Sequence, residues 1–127
     1  MRVLLDTHTF LWWANDDGRL SAPARQTIAD AADAFFSIAS CWEIAIKVSQ
    51  RKLTLPKPLD RFLPEQLGMT RVQLLQIDLD DVARMAGLPF HHRDPFDRLL
   101  AAQALADDLT LVSADPIFGK YGVTRAW

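Results

Sequence analysis

The sequence has almost no cysteine. Its single thiol, Cys41, excludes an internal disulfide in a chain of 127 residues and suits a reducing compartment. It lies in an apolar run, as a packed core thiol would. Long hydrophobic runs are also missing. No stretch approaches the roughly 18 apolar residues of a membrane span. The opening Met1-Arg2-Val3-Leu4-Leu5 is too short for a secretory apolar region, and Asp6 follows at once. The expectation is a cytoplasmic protein with no membrane segment. An excess of positive charge is lacking too, because the net charge is −2. That weighs mildly against nucleic-acid binding. A carboxylate cluster holding a metal would, however, depress the total while basic residues line its rim. Repeats, low-complexity tracts and long linkers are absent, so residues 1–127 read as one domain.

What is present is alternation. Val3 to Leu5 reads as a buried strand closed by Asp6, and Thr9 to Asn15 as a short helix ended by Asp16-Asp17-Gly18. Ser21 is placed to cap a helix with Pro23 in its first turn, running to Ala32. Ala34 to Ile38 reads as a second strand, followed by a helix from Ser40, its expected cap, to about Arg51. Pro56 and Pro58 extend the chain. A helix from Leu59 to about Leu67 is expected to break near Pro64 or start after it. Leu74 to Ile77 reads as a third strand, Asp80 to Ala86 as a short helix, and Pro95 to Ala106 as a helix capped by Asp94. Leu109 to Val112 and Val123 to Arg125 complete the strands. Short apolar strands alternating with helices point to an α/β fold with a parallel sheet.

Four acids fall at informative places in this pattern. Asp6 follows the first strand, Glu43 is expected in the first turn after the second, Asp97 in the first turn of the Pro95 helix, and Asp115 just beyond the fourth strand. Open parallel sheets bind ligands beyond their carboxyl edge. Phosphodiester cleavage needs an activated water and a stabilised leaving oxygen, and divalent cations supply both. Crowded carboxylates repel one another unless such a cation is present. The helix dipole alone also favours acids at helix N-termini. Thr7 could cap the first helix in place of Asp6, so spacing alone leaves a metal site and a set of caps both open.

Leu4-Leu5-Asp6-Thr7-His8, Ser37 through Lys47, His92 through Ala104 and Leu111 through Asp115 resemble, in order, the motifs of PIN-domain proteins. The similarity is strongest to the VapC-type toxins of bacterial toxin–antitoxin pairs. It covers nearly the whole chain. The resemblance implies a PIN-like three-layer sandwich with a five-stranded parallel sheet of order 3-2-1-4-5 flanked by helices. It implies a Mg²⁺- or Mn²⁺-dependent endoribonuclease acting on RNA, a VapB-type antitoxin partner and a homodimer. Carried over by motif, Asp6, Glu43, Asp97 and Asp115 are the metal-binding catalytic quartet, with Thr7 and Ser113 in support. Asp94 rivals Asp97 but looks like the cap of its helix.

His8 departs from many relatives and is expected to have no catalytic role, since a metal makes a histidine base unnecessary. Trp12 and Trp13 could stack unpaired bases, although core or dimer-interface burial is the commoner use. Trp42 is expected in the core. Lys47, Arg93 and Arg98 are candidate RNA phosphate contacts, with surface solvation the alternative. Two other functions fit parts of the pattern. One is an Asp6-nucleophile phosphatase, for which His8 stands where a second acid is wanted. The other is a non-catalytic PIN-like protein-binding module.

Overall fold

The computed structural model describes residues 1–127. Its centre is one parallel sheet of β1 (Arg2–Leu5), β2 (Asp33–Ser37), β3 (Gln73–Leu75), β4 (Thr110–Val112) and β5 (Arg125–Ala126), in the order β3-β2-β1-β4-β5. This is the expected five-stranded sheet of order 3-2-1-4-5. Val3, Leu4 and Leu5 are fully buried, as a central strand covered on both faces requires. Because side chains alternate along a strand, β1 serves two cores. Val3 and Leu5 pack with Phe10, Phe36 and Ile44 on one face, whereas Leu4 packs with Leu100, Leu111 and Phe118 on the other.

The helices are α1 (Thr7–Ala14), α2 (Ala22–Asp30), α3 (Ile38–Ser49), α4 (Leu59–Thr70), α5 (Leu79–Ala86) and α6 (Pro95–Asp107), with a short 3₁₀ helix over Pro116–Tyr121. None is long and apolar enough to cross a membrane. Ser21 and Asp94 cap α2 and α6 as expected.

Three local expectations are overturned. Helix α3 starts at Ile38, and its cap is Ser37, not Ser40. The Ser37 hydroxyl accepts from the Ala39 amide at 3.0 Å and donates to Gln103 Oε1 at 2.5 Å. Ser40 instead lies buried inside the helix, its hydroxyl without a partner. Helix α4 runs unbroken through Pro64, because burial of Phe62 and packing of Leu59, Leu63 and Leu67 on the core outweigh the lost backbone bond. Asp78, not the segment's Asp80, opens α5, and it forms a reciprocal capping box with Asp81. The strand order reverses between β1 and β4, so the crevice beyond their carboxyl ends is where a ligand fits.

Candidate metal centre

Each of three acids stands at the crevice because it caps a helix. Asp6 leaves β1 by donating its amide to the Val112 carbonyl of β4. Its Oδ1 then accepts from the Thr9 amide at 2.9 Å, so Asp6, not Thr7, caps α1. Asp115 caps the 3₁₀ helix through the Ile117 amide at 3.0 Å. Its own amide donates to the buried Ser113 hydroxyl at 3.1 Å. Asp94 caps α6 by accepting from the amides of Phe96 and Asp97. Asp97 sits in the first turn of α6.

Glu43 arrives differently. Since α3 begins at Ile38, Glu43 lies in its second turn rather than its first, where the dipole no longer explains it. It is buried. Thr7 Oγ1 donates to its Oε1 at 2.5 Å, and Lys47 Nζ stands 3.1 Å from its Oε2. Thr7 therefore orients Glu43, and Lys47 is engaged with that same acid.

Asp6, Glu43, Asp94, Asp97 and Asp115 line one pocket of about 240 Å³ together with Thr7, His8, Trp12 and Lys47. Five carboxylates thus face one ammonium. Burial pushes the Asp97 carboxyl up to about 8, and the negative charges of Asp94, Glu43, Asp6 and Asp115 push the same way. Near neutral pH the pocket therefore holds a proton on Asp97 wherever a stronger cation is missing. A set of hard carboxylate oxygens short of positive charge is the donor chemistry that Mg²⁺ and Mn²⁺ prefer.

His92 joins this site, which the sequence reading missed. Its Nε2 lies 3.0 Å from Asp97 Oδ2 and 3.5 Å from Asp115 Oδ2, and the three groups offer donor atoms within 4.8 Å of one another. Its Nδ1 accepts from the Asp94 amide at 3.3 Å. In a neutral ring that leaves the proton on Nε2, facing the carboxylates. No local signal marked it, because Asp115 reaches His92 only once the chain beyond β4 is placed beside α6.

Other residues fall elsewhere. His8 is exposed at the pocket mouth, its ring 5.8 Å from that of Trp12. Trp42, expected in the core, is 61% exposed, because the α3 face carrying Glu43 and Ile44 is the one turned inward. Arg93 is exposed. Arg98, read as a surface cation, is 4% exposed. Its guanidinium donates to the carbonyls of Pro89, Met85 and Leu88 at 2.9 to 3.3 Å and lies over the Phe90 ring at 4.0 Å. Those bonds leave it no fork for a phosphate. Cys41 is half-buried, with its thiol pushed up to about 11 by burial, which suits a packing role.

Comparison with known proteins agrees with this geometry. A family model described as PIN domain matches residues 3–123. The chain is 33% identical over 114 residues to Ribonuclease VapC22 of Mycobacterium tuberculosis (strain ATCC 25618 / H37Rv), covering 89% of this chain and 86% of that protein. Among solved structures it is similar to VapBC2 from Rickettsia felis bound to a DNA fragment from their promoter, with TM-score 0.71 and 15% identity over 98% of this chain and 97% of that one. It is also similar to DNA-bound VapBC from Salmonella typhimurium, with TM-score 0.70 and 16% identity over 98% and 96% of the two chains.

Proposed function

The chain belongs to the PIN domain family, and we propose that within it the protein is a divalent-metal-dependent endoribonuclease, the toxin of a toxin–antitoxin pair. The observation that carries the reading is the convergence of Asp6, Glu43, Asp97 and Asp115 on one pocket at the reversal point of the sheet. Similarity to Ribonuclease VapC22 supports RNA as the substrate. Similarity to VapBC assemblies supports a VapB-type antitoxin as partner. We further read residues 1–127 as one domain that works as a homodimer.

In this reading Asp6, Glu43, Asp97 and Asp115 hold Mg²⁺ or Mn²⁺. When bound, the cation supplies the charge that activates a water and stabilises the leaving oxygen of a phosphodiester. The chain's own residues prepare that site. Thr7 and Lys47 fix both oxygens of Glu43. Ser113 holds the turn that carries Asp115. Asp94 fixes the start of α6, and its charge strengthens the hold of Asp97 on its proton. His92 draws Asp97 and Asp115 together through Nε2.

The test is incubation of the purified chain, free of any partner, with a mixed RNA pool and Mn²⁺, beside Asp97→Asn and an EDTA control. Cleavage by the wild type, lost in both controls, is the expected result. Undiminished cleavage by folded Asp97→Asn, or in EDTA, overturns the assignment.

A further inference from the structure

The acidic pocket opens on one side into a groove of about 350 Å³ whose character is opposite. Glu43, Lys47 and Asp94 border both spaces, so the two adjoin. The groove lies between the second half of α3 and the loop that enters α6. The α3 side carries Ile46, Lys47, Gln50 and Lys52, and the loop side carries Arg93, Pro95 and Phe96. The Lys52 amide donates to the Lys47 carbonyl at 2.8 Å, which sets its side chain at the end of α3. Lys52 and Arg93 are exposed and make no ion pair. Trp42, one turn before Ile46, stands edge-on to Phe96 at 5.2 Å and 82° with its indole 61% exposed.

Free cations on both sides of a groove, with the braced Trp42–Phe96 pair at its edge, suit a single nucleic-acid strand. Phosphates track the charge, while unpaired bases lie on the aromatic surface. The far flank of the pocket does not offer this. There Trp12 already has Arg19 over its ring at 5.3 Å, and Arg19 is itself bound to Asp17 at 2.8 Å. A polyanion approaching five carboxylates also needs positive charge close by to offset their repulsion, and the α3–α6 side supplies it through Lys52 and Arg93, which are in no ion pair.

We infer that this groove is the track of the RNA strand on one side of the cut phosphate, with Lys52 and Arg93 holding phosphates and Trp42 stacking an unpaired base. The inference rests on the ribonuclease reading and assigns the residues that hold the strand beside the cleavage point. Trp42, Lys52 and Arg93 are then specificity determinants outside the metal-binding quartet.

The probe is a fluorescein-labelled single-stranded RNA and its duplex, followed by anisotropy against salt in EDTA, so that the strand stays intact. Trp42→Ala is expected to weaken single-strand binding about tenfold and to remove the preference over duplex, and Trp42→Phe to restore both. The Lys52→Ala/Arg93→Ala double variant is expected to flatten the log–log salt dependence by about 1.4, at about 0.7 per lost phosphate contact. All three positions are at the surface, so melting temperatures should stay at the wild-type value. Unchanged affinity and salt dependence in these variants overturn the inference. So does a shift from dimer to monomer with RNA binding intact, which would make the face a contact between copies of the chain. The two readings separate cleanly. Cleavage by a wild type whose groove variants bind normally removes the track and keeps the nuclease. Wild-type binding with the expected variant losses, but no cleavage in Mn²⁺, does the reverse.

Discussion

Asp97 and Arg98 follow one another at the start of α6, yet their charges meet opposite surroundings. Arg98 is enclosed and complete. Three carbonyls take its donors and Phe90 covers its face, so a cation is buried among fixed dipoles at modest cost. Asp97 is enclosed and incomplete. It faces four other carboxylates and one histidine nitrogen, and keeps a proton to about pH 8. The first arrangement is how a fold satisfies a charge for its own stability. The second leaves a shortfall of positive charge that a bound cation would offset.

The largest expected effect is on the incomplete side. Asp97→Asn keeps the size and removes the charge, so cleavage should fall by more than about a hundredfold, since even the outer partners of a metal ligand cost 10–100-fold. Single-turnover cleavage of an RNA in Mn²⁺ reads this directly. On the complete side, Arg98→Met should leave three carbonyls without donors and cost about 3 kcal/mol of stability in urea unfolding, while Mn²⁺ binding by the folded fraction persists. Equal stability of Arg98→Met and wild type would dissolve the contrast.

A pH effect of intermediate size sharpens it. Folding raises the Asp97 pKa from 3.8 to about 8, so between those values the folded state binds the extra proton and the unfolded state does not. Metal-free stability therefore declines as pH rises through that window and levels off above it. A metal must displace the same proton, so apparent Mn²⁺ affinity should rise up to about tenfold per pH unit and flatten near pH 8. Calorimetric titration at several pH values measures this, and a pH-independent affinity would contradict it. The smallest effect is expected at Asp94. Asp94→Ala removes the α6 cap and should cost about 1 kcal/mol. It also removes the negative neighbour that acts most strongly on Asp97, so the Asp97 pKa should fall, readable by carboxyl NMR.

The same contrast explains what local sequence could disclose. The alternation of strands and helices and the placing of four acids at their ends were legible because short apolar runs, caps and acids are local signals, whereas the strand order came only with the family resemblance. The capping role of Asp94 was legible as well, because a cap directly before Pro95 is a local relation. The start of α3 was not. Ser37 and Ser40 are equally able to cap, and the choice is settled by Gln103, far along the chain and bonded to Ser37. That shift moved Glu43 out of the first turn and removed the dipole as its explanation. Arg98 was read as a surface cation because nothing adjacent announces that the carbonyls of residues 85, 88 and 89 turn back to receive it. His92 was overlooked for a similar reason, since its two carboxylate neighbours meet it only when β4 delivers Asp115 beside α6. Trp42 was misplaced because an aromatic beside a buried acid suggests the core, whereas helical phase turns it out.

The central claim is that the acidic pocket is held short of positive charge and that a divalent cation makes up the shortfall through Asp97. Thermal unfolding of wild type and Asp97→Asn at pH 8, with and without Mn²⁺, tests it most directly. The account predicts that metal-free wild type melts below the variant, that Mn²⁺ raises it by several degrees, and that the variant responds little. A wild type as stable as Asp97→Asn without metal, and unmoved by Mn²⁺, would contradict it.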